Sequence, residues 1–363
     1  MDELQKAINQ VKETDRALAL AFEARMNAGR HVAACQRAEG LPPSVAIDPD
    51  ETLREVSPLL GDDLTRSYYA LFLQNVVGLS ECLNHRVADG QRVAYAGVVG
   101  AFAHLTAKKI FPDATLVAYP GFREAYEAVE KGECDSAVLP LENSFAGDVA
   151  QVMDLAYFGH LYVNAVYDAP IHQCLVGCEG ATLDTVKKVI SHPQALSQCA
   201  PYLASRGYEI EEESNTAVAA RRVSETGDPT LAAICSPEAA ELYRLHILAA
   251  NINENANNTT RFAVMTRNPH RACREDGCFI LTFTVRNEAG ALARAIASIG
   301  EHGFNMRSLR SRPTKKLIWS NFFFVEAEGN LNSPAGQAML DDLGTLCSGL
   351  KVLGSYERVT ELD

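Results

Sequence analysis

Apolar side chains recur at helical spacing through residues 2 to 38: Leu4, Ile8, Val11, Leu18, Phe22, Met26 and Val32, with charges between them. That period predicts one long helix. Leu41-Pro42-Pro43 breaks it. A short helix is expected over 50 to 60, ending at Gly61. A third is expected from about Asp62 to Val87, with Tyr68, Leu71, Phe72, Val76, Leu79 and Leu83 on its apolar side. The acidic start Asp62-Asp63 suits the positive end of the helix dipole. Three helices in this order cannot bury both faces of the long one, so a dimer through this region is expected.

The pattern changes at Asp89-Gly90. Val93-Ala94-Tyr95 reads as a strand, Gly97 to Gly100 as a turn, and 101 to 110 as a helix. Ser136 to Leu139 is an apolar strand leading into Glu142-Asn143-Ser144, with Gly147 just beyond. Lys187 to Ile190 leads into Ser191-His192-Pro193-Gln194 and a helix. Strands alternating with helices predict a mostly parallel α/β sheet, whose ligands lie beyond the carboxyl ends of the strands. The loops at Gly97, Asn143, Ser191 and Thr260 are therefore where a ligand is expected. Residues 267 to 277 read as a linker. Beyond them come strand (279–286), helix (290–301), strand (304–311), strand (317–327), helix (334–347) and strand (350–358), a ferredoxin-like βαββαβ order.

Composition narrows the function classes. At 363 residues the chain should hold two or three domains of ~150 residues. A net charge of -13 argues against nucleic acid and anionic membranes as partners. Neither a signal peptide nor an apolar run of ~18 residues is found, which fits a cytoplasmic protein. The ten cysteines include no Cys-x-x-Cys pair, so reduced thiols are expected, with no metal site.

The candidate chemistry centres on Asn257-Asn258-Thr259-Thr260-Arg261-Phe262-Ala263-Val264. Arg261 to Thr266 reads as a strand after an asparagine turn. Alternation puts Thr260 and Phe262 on one face and Arg261 on the other. Ser191-x-x-Gln194 reads as a capping box, with Pro193 in the first turn; its free N–H groups could also hold a carboxylate. Gln198 lies two turns along the same face. Asn143 or Ser144 is expected to cap a helix. His192 has no cysteine or carboxylate nearby in sequence, so a nucleophilic triad is weakly supported. Gly97-Val98-Val99-Gly100 lacks a dinucleotide fingerprint.

Three of these segments, in this order over roughly 92 to 267, resemble prephenate dehydratase: Glu142-Asn143-Ser144 with Gly147, Ser191-His192-Pro193-Gln194 with Gln198, and Thr259-Thr260-Arg261-Phe262. The whole chain is similar to the bifunctional chorismate mutase–prephenate dehydratases. The resemblance implies an all-α mutase-like domain over 1–89, a two-lobed α/β dehydratase domain of periplasmic-binding-protein type over 90–268, and a ferredoxin-like α+β ACT regulatory domain over 269–363. It implies decarboxylating dehydration of prephenate without a cofactor. Thr260 would donate to the leaving hydroxyl, and Asn143, Ser191 and Gln198 would orient substrate. Arg261 would pair with a substrate carboxylate, with Glu142, Ser144, Ser214, Thr216 and Gly97 as further contacts. Gly290-Ala291-Leu292 and Ser311-Arg312-Pro313 resemble phenylalanine-binding signatures, which implies L-phenylalanine as effector. A homodimer or dimer of dimers is expected.

The chain also departs from the family. Val98 and Ala101 replace residues of the usual Gly-Pro-x-Gly-Ser of the first loop, Ala103 replaces a second hydroxyl soon after it, and Arg310 stands where a glutamate usually precedes Ser-Arg-Pro. In the helical region Arg25, Ser80 and Asn84 match mutase positions. Ile8 and Gln36 stand at the places of an arginine and a lysine, and Glu51-Thr52 replaces an Arg-Glu pair. Losing cations and gaining an acid disfavours a dianion, so a degenerate mutase domain is expected. The alternatives are a fully bifunctional enzyme, an arogenate dehydratase, and a catalytically eroded amino-acid sensor.

Overall fold

The computed structural model describes residues 3–41, 49–255, 257–269, 277–314, 321–357 and 359–362. Two compact units comprise Met1–Arg92 and Val93–Asp363. The first holds the helices Glu3–Ala38, Pro49–Val56 and Asp63–Asp89, with a 3-10 turn at Ser57–Leu59. Asp62 caps the third helix, its carboxylate accepting the Thr65 N–H at 2.8 Å. Burial covers less of the helices than their apolar stripes predict. On the long helix only Met26, Gly29 and Ala33 are buried, while Leu4, Ile8, Val11, Leu18 and Phe22 are exposed. On the third helix Leu73, Val76, Val77, Ser80 and Asn84 are buried, and Tyr68, Leu71, Phe72 and Leu79 face solvent. No helix among the described residues is long and apolar enough to cross a membrane.

The second unit contains two α/β lobes. In the first lobe the strand order is Thr360–Glu361, Tyr162–Pro170, Thr259–Thr266, Ser136–Asn143, Arg92–Ala96, Thr115–Tyr119. The second lobe orders His246–Ala249, Cys174–Gly177, Leu231–Cys235, Lys188–Ser191, Glu209–Glu212. Strands such as Leu231–Cys235 are buried throughout, as apolar runs covered on both faces should be. The first sheet is mixed rather than mostly parallel, because Thr259–Thr266 runs antiparallel to both neighbours. That reversal matters for the site: the start of this strand lies beside the end of Ser136–Asn143, with Thr260 opposite Asn143.

The chain passes between the lobes twice, and the two crossings bond to each other. Ile171 N–H donates to Asn258 O at 2.8 Å and Ile252 N–H to Gln173 O at 2.9 Å. Elsewhere Tyr243 Oη donates to Val99 O at 2.7 Å, and Gly100, at φ 88°, packs where a Cβ would come within 3.0 Å of Leu242.

The last sheet is antiparallel, in the order Asn305–Pro313, Asn321–Glu328, Cys278–Thr284, Ser348–Tyr356. One face packs Phe279, Leu281, Phe283, Val325 and Ala327 with Ala295, Ile299, Met339 and Leu343 of the helices Ala291–Glu301 and Pro334–Leu346. The other face puts Ile280, Phe324, Leu353 and Tyr356 into one core with Leu139, Val163 and Val166 of the first lobe. Tyr157 stacks on Phe322 with ring centroids 3.9 Å apart. Half-buried Lys351 donates to the carbonyls of Ala156 and Gly159 at the end of the helix Ala150–Phe158, where a cation suits the dipole. The nine described cysteines are free thiols; Cys273 lies outside the described residues.

This sheet approaches the lobe closely at Gly354, where an added Cβ would overlap the Val163 carbonyl. Gly354→Ala should therefore destabilise the fold by about 1–3 kcal/mol. Gly344→Ala, in a helix with nothing within 4 Å of the added Cβ, should stabilise by roughly 0.5–1 kcal/mol. Denaturant unfolding of the two variants checks both signs.

Candidate active site

A cleft of about 500 Å³ lies between the lobes, large enough for a small metabolite. Thr260, 9% exposed, opens into it beside Asn143. The Asn143 amide is hydrogen-bonded at both its oxygen and its nitrogen. Its Oδ1 accepts the N–H groups of Phe145 and Ala146 at 3.0 and 2.9 Å. Its Nδ2 donates to Asn258 Oδ1 and Thr260 Oγ1, each at 2.9 Å. Thr260 Oγ1 is thus an acceptor toward Asn143, and no acceptor for its own proton is found among the described residues. A hydroxyl so placed can donate into the cleft.

No Lys, Arg, Asp or Glu is among the described residues lining the cleft. Helix starts take the place of cations. Ala101, Gly121 and Val149 all line it, and each is the N-cap of a nine-residue helix with no side-chain cap. Thr216 opens a further helix there, behind the Asn215 cap on Ala217 N–H at 2.8 Å. Uncapped N–H groups and aligned dipoles favour an anion, each helix start contributing about 0.3–1 kcal/mol. Ala101 and Ala103 of the first loop supply apolar wall, as does Phe262 next to Thr260.

His192 is the one titratable side chain among these lining residues. Burial lowers its pKa, with Glu212 opposing, which leaves it neutral at pH 7. Its Nδ1 accepts the Gln194 N–H at 3.2 Å, so the proton sits on Nε2 as a second donor. Gln198 is buried at the cleft and accepts from Gln173 Nε2 at 3.4 Å. Gly97, Ser214 and Thr216 line it as expected. Gln173 and Gln151 line it as well without a sequence signal. Gln173 belongs to a crossing segment whose position depends on pairing with the other crossing.

Four expected residues lie elsewhere. Ser191 is fully buried, and its Oγ donates to Ile234 O at 2.7 Å. His192, not Ser191, is the N-cap of Pro193–Gln198, so there is no capping box. Arg261 points away from the cleft, 3.0 Å from Asp168 and 3.4 Å from Glu326. Burial works against its charge, but these two carboxylates more than offset it and raise its pKa. Glu142 sits on that same far side, bonded to Arg310. Ser144 accepts the Thr259 N–H at 2.9 Å and ties the loop together rather than lining the cleft. Neither it nor Asn143 caps a helix: Asn143 ends a strand and closes a turn.

No residue of the other two predicted groups lines the cleft. Gly290, left-handed at φ 81°, precedes the helix Ala291–Glu301; Leu292 packs against the core between that helix and the last sheet. Ser311 and Pro313 are exposed, whereas Arg312 is held bidentately by Asp154 at 2.8 and 3.2 Å rather than free for an effector. In the helical unit Arg25 Nη1 donates to Ser80 Oγ at 3.0 Å and Asn84 Nδ2 to Gly29 O at 3.4 Å. These residues, with Gln36, enclose only about 10 Å³, roughly the space of one water.

Residues 93–270 match the sequence profile of the prephenate dehydratase family. The chain is 36% identical over 281 residues to the bifunctional chorismate mutase/prephenate dehydratase of Neisseria gonorrhoeae, covering 77% of each protein. It is 32% identical to arogenate dehydratase/prephenate dehydratase 1 of Arabidopsis thaliana, over 73% of this chain and 71% of that one. The crystal structure of an Arthrobacter aurescens prephenate dehydratase in complex with L-Phe is similar at 27% identity and TM-score 0.69, over 74% of this chain and 90% of that one. The chain belongs to the prephenate dehydratase family and is an enzyme of that kind.

Proposed function

We propose that this chain converts prephenate to phenylpyruvate in L-phenylalanine biosynthesis, in the cleft between the lobes and without a cofactor. The Thr260 hydroxyl carries the reading, held by Asn143 with its proton free in a cleft of helix starts. Those helix starts suit a dicarboxylate. In the reaction the bond from the ring to its carboxylate breaks and carbon dioxide leaves, its electron pair entering the ring. The carbon–oxygen bond to the ring hydroxyl breaks with its pair on oxygen, which takes a proton supplied by solvent water and departs as water. Thr260 donates a hydrogen bond to that oxygen as charge develops, and His192 Nε2–H and Gln198 orient the rest. Arg261 has no part in binding.

L-phenylalanine acts as effector at the turn before Ala291–Glu301 and the outer face of Asn305–Pro313; support comes from the L-Phe complex of the Arthrobacter relative. The helical unit is a degenerate mutase that serves dimerisation, supported by the small space at Arg25 and by the exposed apolar stripe of the long helix. Arogenate is the second substrate reading, supported by the plant relative named for both activities.

Purified protein should release phenylpyruvate from prephenate, less in the presence of phenylalanine. Faster release of phenylalanine from arogenate would replace the substrate, and absence of both products would remove the enzyme assignment. Thr260→Val should cut kcat by roughly 10²–10³ with KM little changed, while Thr260→Ser keeps most activity. Ser191→Ala should cost about 1 kcal/mol of stability and leave kcat within about threefold of wild type.

A further inference from the structure

The strand Asn305–Pro313 of the last domain sends one side chain to the loop that carries Asn143. Arg310 Nη2 donates to Glu142 Oε2, and its Nε lies 2.7 Å from Asp148 Oδ1. Glu142 and Asp148 face each other across the two-stranded pair that encloses Asn143 to Gly147. Like charges directly opposite repel. Arg261 reaches Glu142 only at 3.9 Å. The Arg310 guanidinium is 16% exposed and lies 5.9 Å over the Phe324 ring, so it is held from behind as well.

We propose that Arg310 is a positioning residue for catalysis: by bridging Glu142 and Asp148 it keeps the Asn143 loop closed and the Asn143 amide aimed at Thr260. The chain from Arg310 to the hydroxyl is continuous. Glu142 immediately precedes Asn143, and Asn143 takes the turn N–H groups of Phe145 and Ala146 on one side of its amide and Thr260 on the other. A planar guanidinium with fixed forks can serve two carboxylates at once; a lysine ammonium serves them poorly. The catalytic consequence rests on the proposed dehydratase reaction, whereas the loop geometry does not.

Two readouts on the full chain separate these. Hydrogen exchange resolved at Phe145 and Ala146 reports the loop without any substrate. Arg310→Met should speed exchange there, and Arg310→Lys should lie between it and wild type. With prephenate, Arg310→Met should lower kcat by about 10- to 100-fold, the scale of a misplaced catalytic group, with KM changed less. Adding Asp148→Asn to Arg310→Met removes the repulsion and should restore part of both losses. A loss of fold alone would not be rescued in this way. Unchanged exchange in Arg310→Met overturns the clamp whether or not the wild type acts on prephenate. Faster exchange with kcat unchanged in an active enzyme overturns its catalytic role.

Discussion

The site depends on one hydrogen bond, from the Asn143 amide to the Thr260 hydroxyl at 2.9 Å. It is directional because the other end of that amide is occupied by two backbone N–H groups, so the side chain cannot flip without orphaning them. It exists at all because Thr259–Thr266 is inserted antiparallel into the first sheet. In a parallel insertion Thr260 would lie at the opposite edge from Asn143. Both lobes, the paired crossings and the Val99–Tyr243 bridge then serve to bring the second lobe's Gln198 and His192 to the same space.

A cleft with no lysine or arginine among the described residues is consistent with the anionic substrate proposed for it. Uncapped helix starts supply fixed partial charges that need no reorganisation and bring no flexible side chain. The cations near the site work on its far side. Arg261, Arg310 and Arg312 each reach carboxylates between the first lobe and the last sheet.

Strand alternation was the most reliable part of the sequence. It separated Thr260 and Phe262 from Arg261, and the structure keeps that separation; family likeness placed Arg261 in the pocket and misled. The loops at Gly97, Asn143 and Thr260 were legible because each carries glycine or asparagine where a strand ends or begins. Ser191 misled for a different reason. Its spacing to Gln194 satisfies a local capping rule, while its real partner, Ile234 O, lies on another strand. Gln173 was invisible, since nothing local distinguishes a glutamine in a crossing segment. The apolar stripe of the long helix was read correctly as helical, yet a single chain leaves most of it exposed; periodicity tells which face is apolar, not what covers it.

A double-mutant cycle in kcat on prephenate, with Asn143→Ala, Thr260→Val and the pair, tests the central interaction most directly. If Asn143 acts by aiming the Thr260 hydroxyl, the double variant should be hardly slower than Thr260→Val alone. Losses that multiply would mean that the two residues act independently, and the account of the site would be wrong.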